Sequence, residues 1–304
     1  MNKTIALKKI VEFLEDNIIE IKGKIEDITI SNIKATDEVD EDSLDWINPA
    51  KLNKQEIAEK SKAKVILCDS SVQYSDKIAL EGKVLIHVKN PIHTLALVVE
   101  HFFIEKPVPG IHSTAIIHPE ATIGENVVLG PFTYIGRSII GDRTILLGNN
   151  FIDDNVVIGS DVIIQAGVVI GNEGHNYIRN ENNYCIKFPH IGGVLIGDKV
   201  EIGSNTFVSR GVLGNTIIKE GTKIAQLVYI GANVQIGLHC AIRPNVMVSG
   251  SVVIGDYAIL APSSTIREHK SIGNNAFIGL SAVVTKNIPE NETWIGNPAK
   301  KMEK

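Results

Sequence analysis

From Ile218 to Val284 every sixth residue is Ile, Val or Leu, and most are followed by Gly or another small residue. Six positions rotate an α-helix by roughly 600°, which scatters such side chains around the axis. A parallel β-helix instead stacks them: three short strands make a coil of about 18 residues, and each aliphatic residue sits on the one a coil below. The same spacing runs through Ile111, Ile117, Ile123, Leu129 and Ile135, then, after a one-residue slip, from Ile140 to Ile170, and again through Ile196, Ile202 and Val208. The hexads predict a mainly β chain of roughly eight to nine coils, about 4.8 Å apart and on the order of 40 Å long. The glycines along them read as corners that need positive φ rather than as a phosphate loop. The register breaks chiefly at Gly171–Gly193, a loop on a rigid scaffold and a favoured place for function.

Residues 1–104 carry no hexads. Leu7, Ile10, Val11 and Leu14 have helical spacing, the runs at 64–69 and 83–88 read as β-branched strands, and Pro91 opens a helix. An α/β domain over 1–104 is expected, with a Pro-stiffened linker at 105–110, the β-helix over 111–288 and a C-terminal turn and tail over 289–304. The chain holds 30 Lys+Arg against 35 Asp+Glu, with no polybasic run, so nucleic acid is not an expected partner. No apolar run approaches the length of a membrane span and the N-terminus is charged, so a cytoplasmic chain is expected. Cys68, Cys185 and Cys240 lie far apart without metal-ligand spacing, so free thiols and no metal site are expected.

The α/β domain, the segment PGIHSTAIIHPEATIGENVVLGP, the hexads and VLIGDKVEIGSNTFVSRG together resemble the UDP-3-O-acylglucosamine N-acyltransferases of lipid A synthesis. Within the first domain, DWINPAKL at 45–52 and LIHVKNP at 85–91 carry the resemblance. It implies a left-handed β-helix, a homotrimer with active sites between subunits, and a nucleotide base held by the first domain. On that resemblance Trp46 stacks on the base, Asn48 pairs with it, and Lys51 meets a phosphate; otherwise Trp46 packs its own domain and Asn48 makes a turn before Pro49. The family's second aromatic is replaced by Leu52. The family also carries an Asp and, seven residues later, a His as its acid-base pair; Ala225 and Ala232 stand at those positions here.

His269 matches a second histidine that the family places near acyl chain and acceptor, and His175, in the loop, is the other candidate for catalysis. A neutral imidazole accepts a proton near pH 7. His190 and His239 rank below them. The ending WIGNPAK resembles the last turn of hexapeptide acetyltransferases that use coenzyme A, which places Trp294, Asn297, Pro298 and Lys300 at the acyl donor. The expected reaction is acyl transfer from acyl-CoA, with no permanently bound cofactor, to the amine of a dTDP- or UDP-linked amino sugar. One alternative is the lipid A step itself, with acyl carrier protein as donor; another is a noncatalytic trimer that binds nucleotide sugars.

Overall fold

A computed structural model describes residues 4–303, in two compact units that divide between Lys106 and Pro107. In the first, a four-stranded sheet runs in the order Ile18–Lys22, Val84–Val88, Val65–Cys68, Leu44–Trp46. The last three are parallel and the first is antiparallel to its neighbour. Alternate residues feed two separate cores, with Val65, Leu67, Val84 and Ile86 in one and Ile66, Cys68 and Leu85 in the other. Both faces of the sheet are thus covered, which is why its two central strands are buried throughout and apolar apart from His87. The helix after Asn90 spans Pro91–Val98, with the Asn90 side chain accepting from the His93 N–H, and a π-helical turn over Val99–Phe103 follows it.

The second unit is a left-handed parallel β-helix. Its three faces are sheets of 11, 9 and 8 strands among the described residues, parallel except for the last strand of the first face, and most of the strands are two residues long. The hexad aliphatics are the buried member of nearly every strand, and together they form one continuous core. The tail extends the first face: Thr293–Ile295 pairs parallel with Phe277–Ile278, and Lys300–Lys301 folds back antiparallel on Trp294 and Ile295.

The corners correct the reading of the glycines. The residue three positions after most buried aliphatics is left-handed, and it is usually not glycine: Leu227, Asn233, His239, Asn245, Ser251, Tyr257, Ser263 and His269 have φ between 50° and 60°. Gly167 and Gly221 do occupy this slot. The glycine directly after the aliphatic residue serves close approach instead. At Gly237 an added Cβ would lie 2.6 Å from the Asp256 nitrogen of the next coil, and at Gly255 2.7 Å from that of Asn274. At this third-to-first corner the Asp256 and Asn274 side chains reach down one coil, accepting from the Leu238 and Asp256 N–H groups at 2.8 Å each. The Ile-Gly-Asp and Ile-Gly-Asn steps are therefore a ladder in which the missing side chain makes room for the next coil's carboxylate or amide.

The left-handed slot also makes a prediction. A left-handed conformation costs an ordinary L-residue about 1–2 kcal/mol, and Asn tolerates it far better. Leu227 holds φ 59° with its side chain 54 % exposed. Leu227→Asn is expected to stabilise the protein by about 1 kcal/mol, read as a higher denaturation midpoint; a lower midpoint would mean that the leucine is packed in the assembled protein.

Candidate active site

On the second face the strands Val169–Ile170, Phe207–Val208, Tyr229–Ile230, Met247–Val248 and Thr265–Ile266 stack in order. Each ends at the same corner, and at the first two the chain leaves the solenoid. The first excursion runs from Gly171 to Gly192 and contains an antiparallel hairpin, Tyr177–Arg179 with Cys185–Lys187. The second is short, Ser209 to Gly214, and shows in the sequence only as ten residues rather than six between Val208 and Ile218. The two are tied together: Ile191 N–H donates to the Val212 carbonyl at 2.8 Å and Gly192 N–H to that of Gly211 at 3.1 Å. A Cβ on Gly192 would meet the Gly211 oxygen at 2.7 Å, so glycine is required there by contact.

Arg210 fastens the base of both excursions. Its guanidinium, with a side chain only 12 % exposed, donates to the Gly171 and Asp154 carbonyls and pairs with the Asp153 carboxylate at 3.0 Å. Asn233, from the next corner, accepts from the Val212 N–H at 2.9 Å.

Between these excursions and the corners beyond them lies a cavity of about 580 Å³. Gly174, His175, Asn176 and His190 line it from the first excursion, and Val212–Gly214 from the second. Ala232, Gly250, Ser251, Glu268 and His269 come from successive corners, and Tyr229, stacked on Phe207 at 5.5 Å, adds an aromatic wall. Burial pushes the Tyr229 hydroxyl pKa up, so it remains protonated. His175 and His269, distant in sequence, therefore share one cavity, both exposed at its margin. His190 is the buried third imidazole, and its burial had no signal in the sequence. Ala225 lies apart from Ala232 in the chain: it lines a cavity of about 200 Å³ at the preceding corner, with Gln165, Glu201, Lys223 and Arg243.

The other sequence candidates lie elsewhere. In the first unit Trp46 ends an edge strand and is partly buried against its own core. The Asn48 carboxamide oxygen accepts from the Ala50 N–H at 3.0 Å, as a turn before Pro49 requires, while Lys51 is exposed and Leu52 fully so. At the C-terminal end Trp294 packs on the last coil of the solenoid core, and its indole N–H donates to Glu292 at 2.8 Å. Asn297, Pro298 and Lys300 are exposed. The three cysteines are unpaired; burial holds the Cys68 thiol at a pKa of about 12. No described group of His, Cys, Asp and Glu is arranged to hold a metal ion, and no described helix is long and apolar enough to cross a membrane.

The UDP-N-acetylglucosamine acyltransferase of Francisella novicida is 30 % identical over 64 % of this chain and 69 % of its own, with a TM-score of 0.58. The chain belongs to the hexapeptide-repeat acyltransferases. Within that family, the Bacteroides fragilis UDP-N-acetylglucosamine acyltransferase is 27 % identical over 64 % of this chain and 74 % of its own, with a TM-score of 0.57. The UDP-3-O-acylglucosamine N-acyltransferase of Methylobacterium nodulans is 45 % identical over 115 residues, which are 38 % of this chain and 33 % of that one. A probable mitochondrial UDP-3-O-acylglucosamine N-acyltransferase of Arabidopsis thaliana is 39 % identical over 127 residues, 42 % of each chain. The chain thus spans a third to two fifths of the length of these curated relatives. No family model matches it.

Proposed function

We propose that the protein is an N-acyltransferase that moves an acyl group from a thioester to the amine of a UDP-linked glucosamine derivative. The cavity at the second-to-third corner carries this reading, because His175, His190 and His269 line it together with the corners of successive coils. Its chemistry is placement. The free amine, held beside the thioester carbonyl, attacks without the entropic cost of a collision, which can account for several kcal/mol of the barrier. Ser251 and His269 give their N–H groups to the Ala232 and Gly250 carbonyls, so an oxyanion is left to the corner N–H groups outside this coil-to-coil ladder. His175 and His269, at the margin, are positioned to hydrogen-bond acceptor or donor.

The relatives shift the expected substrate. Their names carry UDP-linked glucosamine derivatives, which favours UDP over dTDP and the acylated glucosamine of the lipid A step over another amino sugar. In this reading Trp46, Asn48 and Lys51 hold the nucleotide. The acyl-CoA donor stands as the second reading, favoured by Ala225 and Ala232 where the resembling family carries its acid-base pair. Trp294, Asn297, Pro298 and Lys300 would then serve coenzyme A. A homotrimer is part of the proposal; the outward residues Ile139, Val157, Leu195 and Val253 of the third face are apolar and 36–47 % exposed, as a face packed on another copy requires.

The test is turnover of UDP-3-O-acylglucosamine with a 3-hydroxyacyl thioester presented on acyl carrier protein and on coenzyme A, followed by mass spectrometry. Amide formation with the carrier protein alone supports the lipid A reading, and with coenzyme A the second. Binding of the UDP-sugar with turnover from neither donor overturns both and favours a nucleotide-sugar-binding protein.

A further inference from the structure

Three imidazoles line the cavity and one differs from the others. His175 and His269 are exposed, whereas His190, at the point where the first excursion returns to the solenoid, is 4 % exposed. Neither of its ring nitrogens has a hydrogen-bond partner in the protein. A buried imidazole with both nitrogens unpaired is costly, and buried polar groups are otherwise almost always satisfied. The backbone around it is well anchored: His190 N–H donates to the Glu173 carboxylate at 3.2 Å, and Glu173 pairs with Lys187. Gly174 lies against the ring, since a Cβ there would stand 3.5 Å from His190 Nε2 and 2.7 Å from Ser209 Oγ. The side chain is thus held in the wall of the cavity with its polar edge unused and both ring nitrogens covered by the residues around them.

We propose that His190 is a catalytic residue, the proton acceptor for the substrate amine as that amine attacks the thioester. The assignment deepens the acyl-transfer reading above and rests on it. The amine lone pair forms the C–N bond at the thioester carbonyl carbon, and its excess proton passes to the free lone pair of His190, which the bound acceptor uncovers by displacing the first-excursion residues around the ring. The carbonyl re-forms as the C–S bond breaks, the thiolate leaves, and the imidazolium returns the proton to it, giving amide and thiol. A proton acceptor must be neutral beforehand. Burial first, then the positive charges of Lys187 and Arg210, hold the His190 pKa below the ordinary imidazole value, while the Phe188 backbone pulls the other way without a regular hydrogen bond to the ring. The charged and titratable groups around it are Glu173, bonded to its backbone N–H, with Lys187 and Arg210, and, lining the same cavity, His175, Glu268 and His269.

The assay is turnover of UDP-3-O-acylglucosamine by the full chain with whichever thioester donor it accepts. His190→Gln keeps a donor and an acceptor but takes up no proton, and is expected to lower kcat/KM by about 10²- to 10⁴-fold at an unchanged Tm. His190→Ala is expected to lose as much and to regain part of it when imidazole is added, which a merely structural role would not allow. A glutamine variant within tenfold of wild type overturns the assignment alone. A wild-type protein that acylates nothing overturns the acyl-transfer reading and this assignment together. Nitrogen-15 spectra of the unaltered protein give a measurement that does not depend on a variant folding. One of its nine histidines should titrate below the ordinary imidazole range and shift when UDP-3-O-acylglucosamine is added; absence of such a histidine overturns the assignment.

Discussion

Ala232→Trp is expected to lower kcat/KM by at least about 10³-fold while leaving Tm within about 2 °C of wild type. The alanine sits at a partly exposed corner, and its carbonyl accepts from the Ser251 N–H of the next coil at 2.8 Å, a bond that no side chain at 232 disturbs. Surface substitutions of this kind change stability by about 0.5 kcal/mol or less. The indole would occupy the space between the corner and the two excursions, where the acceptor amine and the thioester have to meet. Displacement of reacting groups by about 1 Å already costs on the order of 10² in rate, and outright occlusion costs more. Turnover within tenfold of wild type would remove the active site from this cavity. Ala225→Trp adds a second reading from the same assay. In the single chain the two alanines line different cavities, so a comparable loss from Ala225→Trp would require a second copy to bring its preceding corner to the site.

The hexads made the solenoid legible because burial on a β-helix repeats with the chain itself: one aliphatic per face, six residues apart, gives the core directly. They also located the first excursion, since Gly171–Gly193 is long enough to interrupt the repeat. The second excursion is a four-residue surplus between Val208 and Ile218, and nothing local to Ser209–Gly214 says that it folds against residues 191 and 192. That contact depends on Arg210 reaching the Gly171 carbonyl and Asp153, partners 39 and 57 positions away in sequence. For the same reason His175 and His269 could be named as candidates from their sequence settings, but their shared cavity could not be foreseen. His190 looked like a residue at the end of a loop; its burial, with Gly174 against the ring, is tertiary geometry. Asn48 and Trp294 show the converse. Their polar atoms are engaged locally, by Ala50 and Glu292, so the local turn is enough to account for those bonds.

The glycines hold the sharpest lesson about the repeat itself, and Gly255→Val is expected to destabilise the protein by about 3 kcal/mol, lowering Tm by roughly 6–12 °C. The reason is not φ, since Gly255 is absent from the left-handed residues. A Cβ at 255 would stand 2.7 Å from the Asn274 nitrogen and 2.9 Å from the Gly273 carbonyl carbon, both backbone atoms of the next coil that have no rotamer to escape into. Relief comes only by separating the two coils, which stretches the Gly255 N–H bond to Ile272 O and the Asp256 N–H bond to Asn274 Oδ1, each 2.8 Å long. In a solenoid each coil is held chiefly by its neighbours, so the damage concentrates at one interface, and protease should cut first in the coils beyond it. Arg243→Val is the control. Arg243 follows Ile242 as Gly255 follows Ile254, but it stands at the first-to-second corner, where the slot already carries an exposed side chain above an intact 2.9 Å bond to Leu260 O. Its replacement should change stability by about 0.5 kcal/mol or less. Equal losses at 243 and 255 would show that the hexad alone sets the tolerance of this position; a loss confined to 255 would show that the Asp and Asn ladder of one corner sets it.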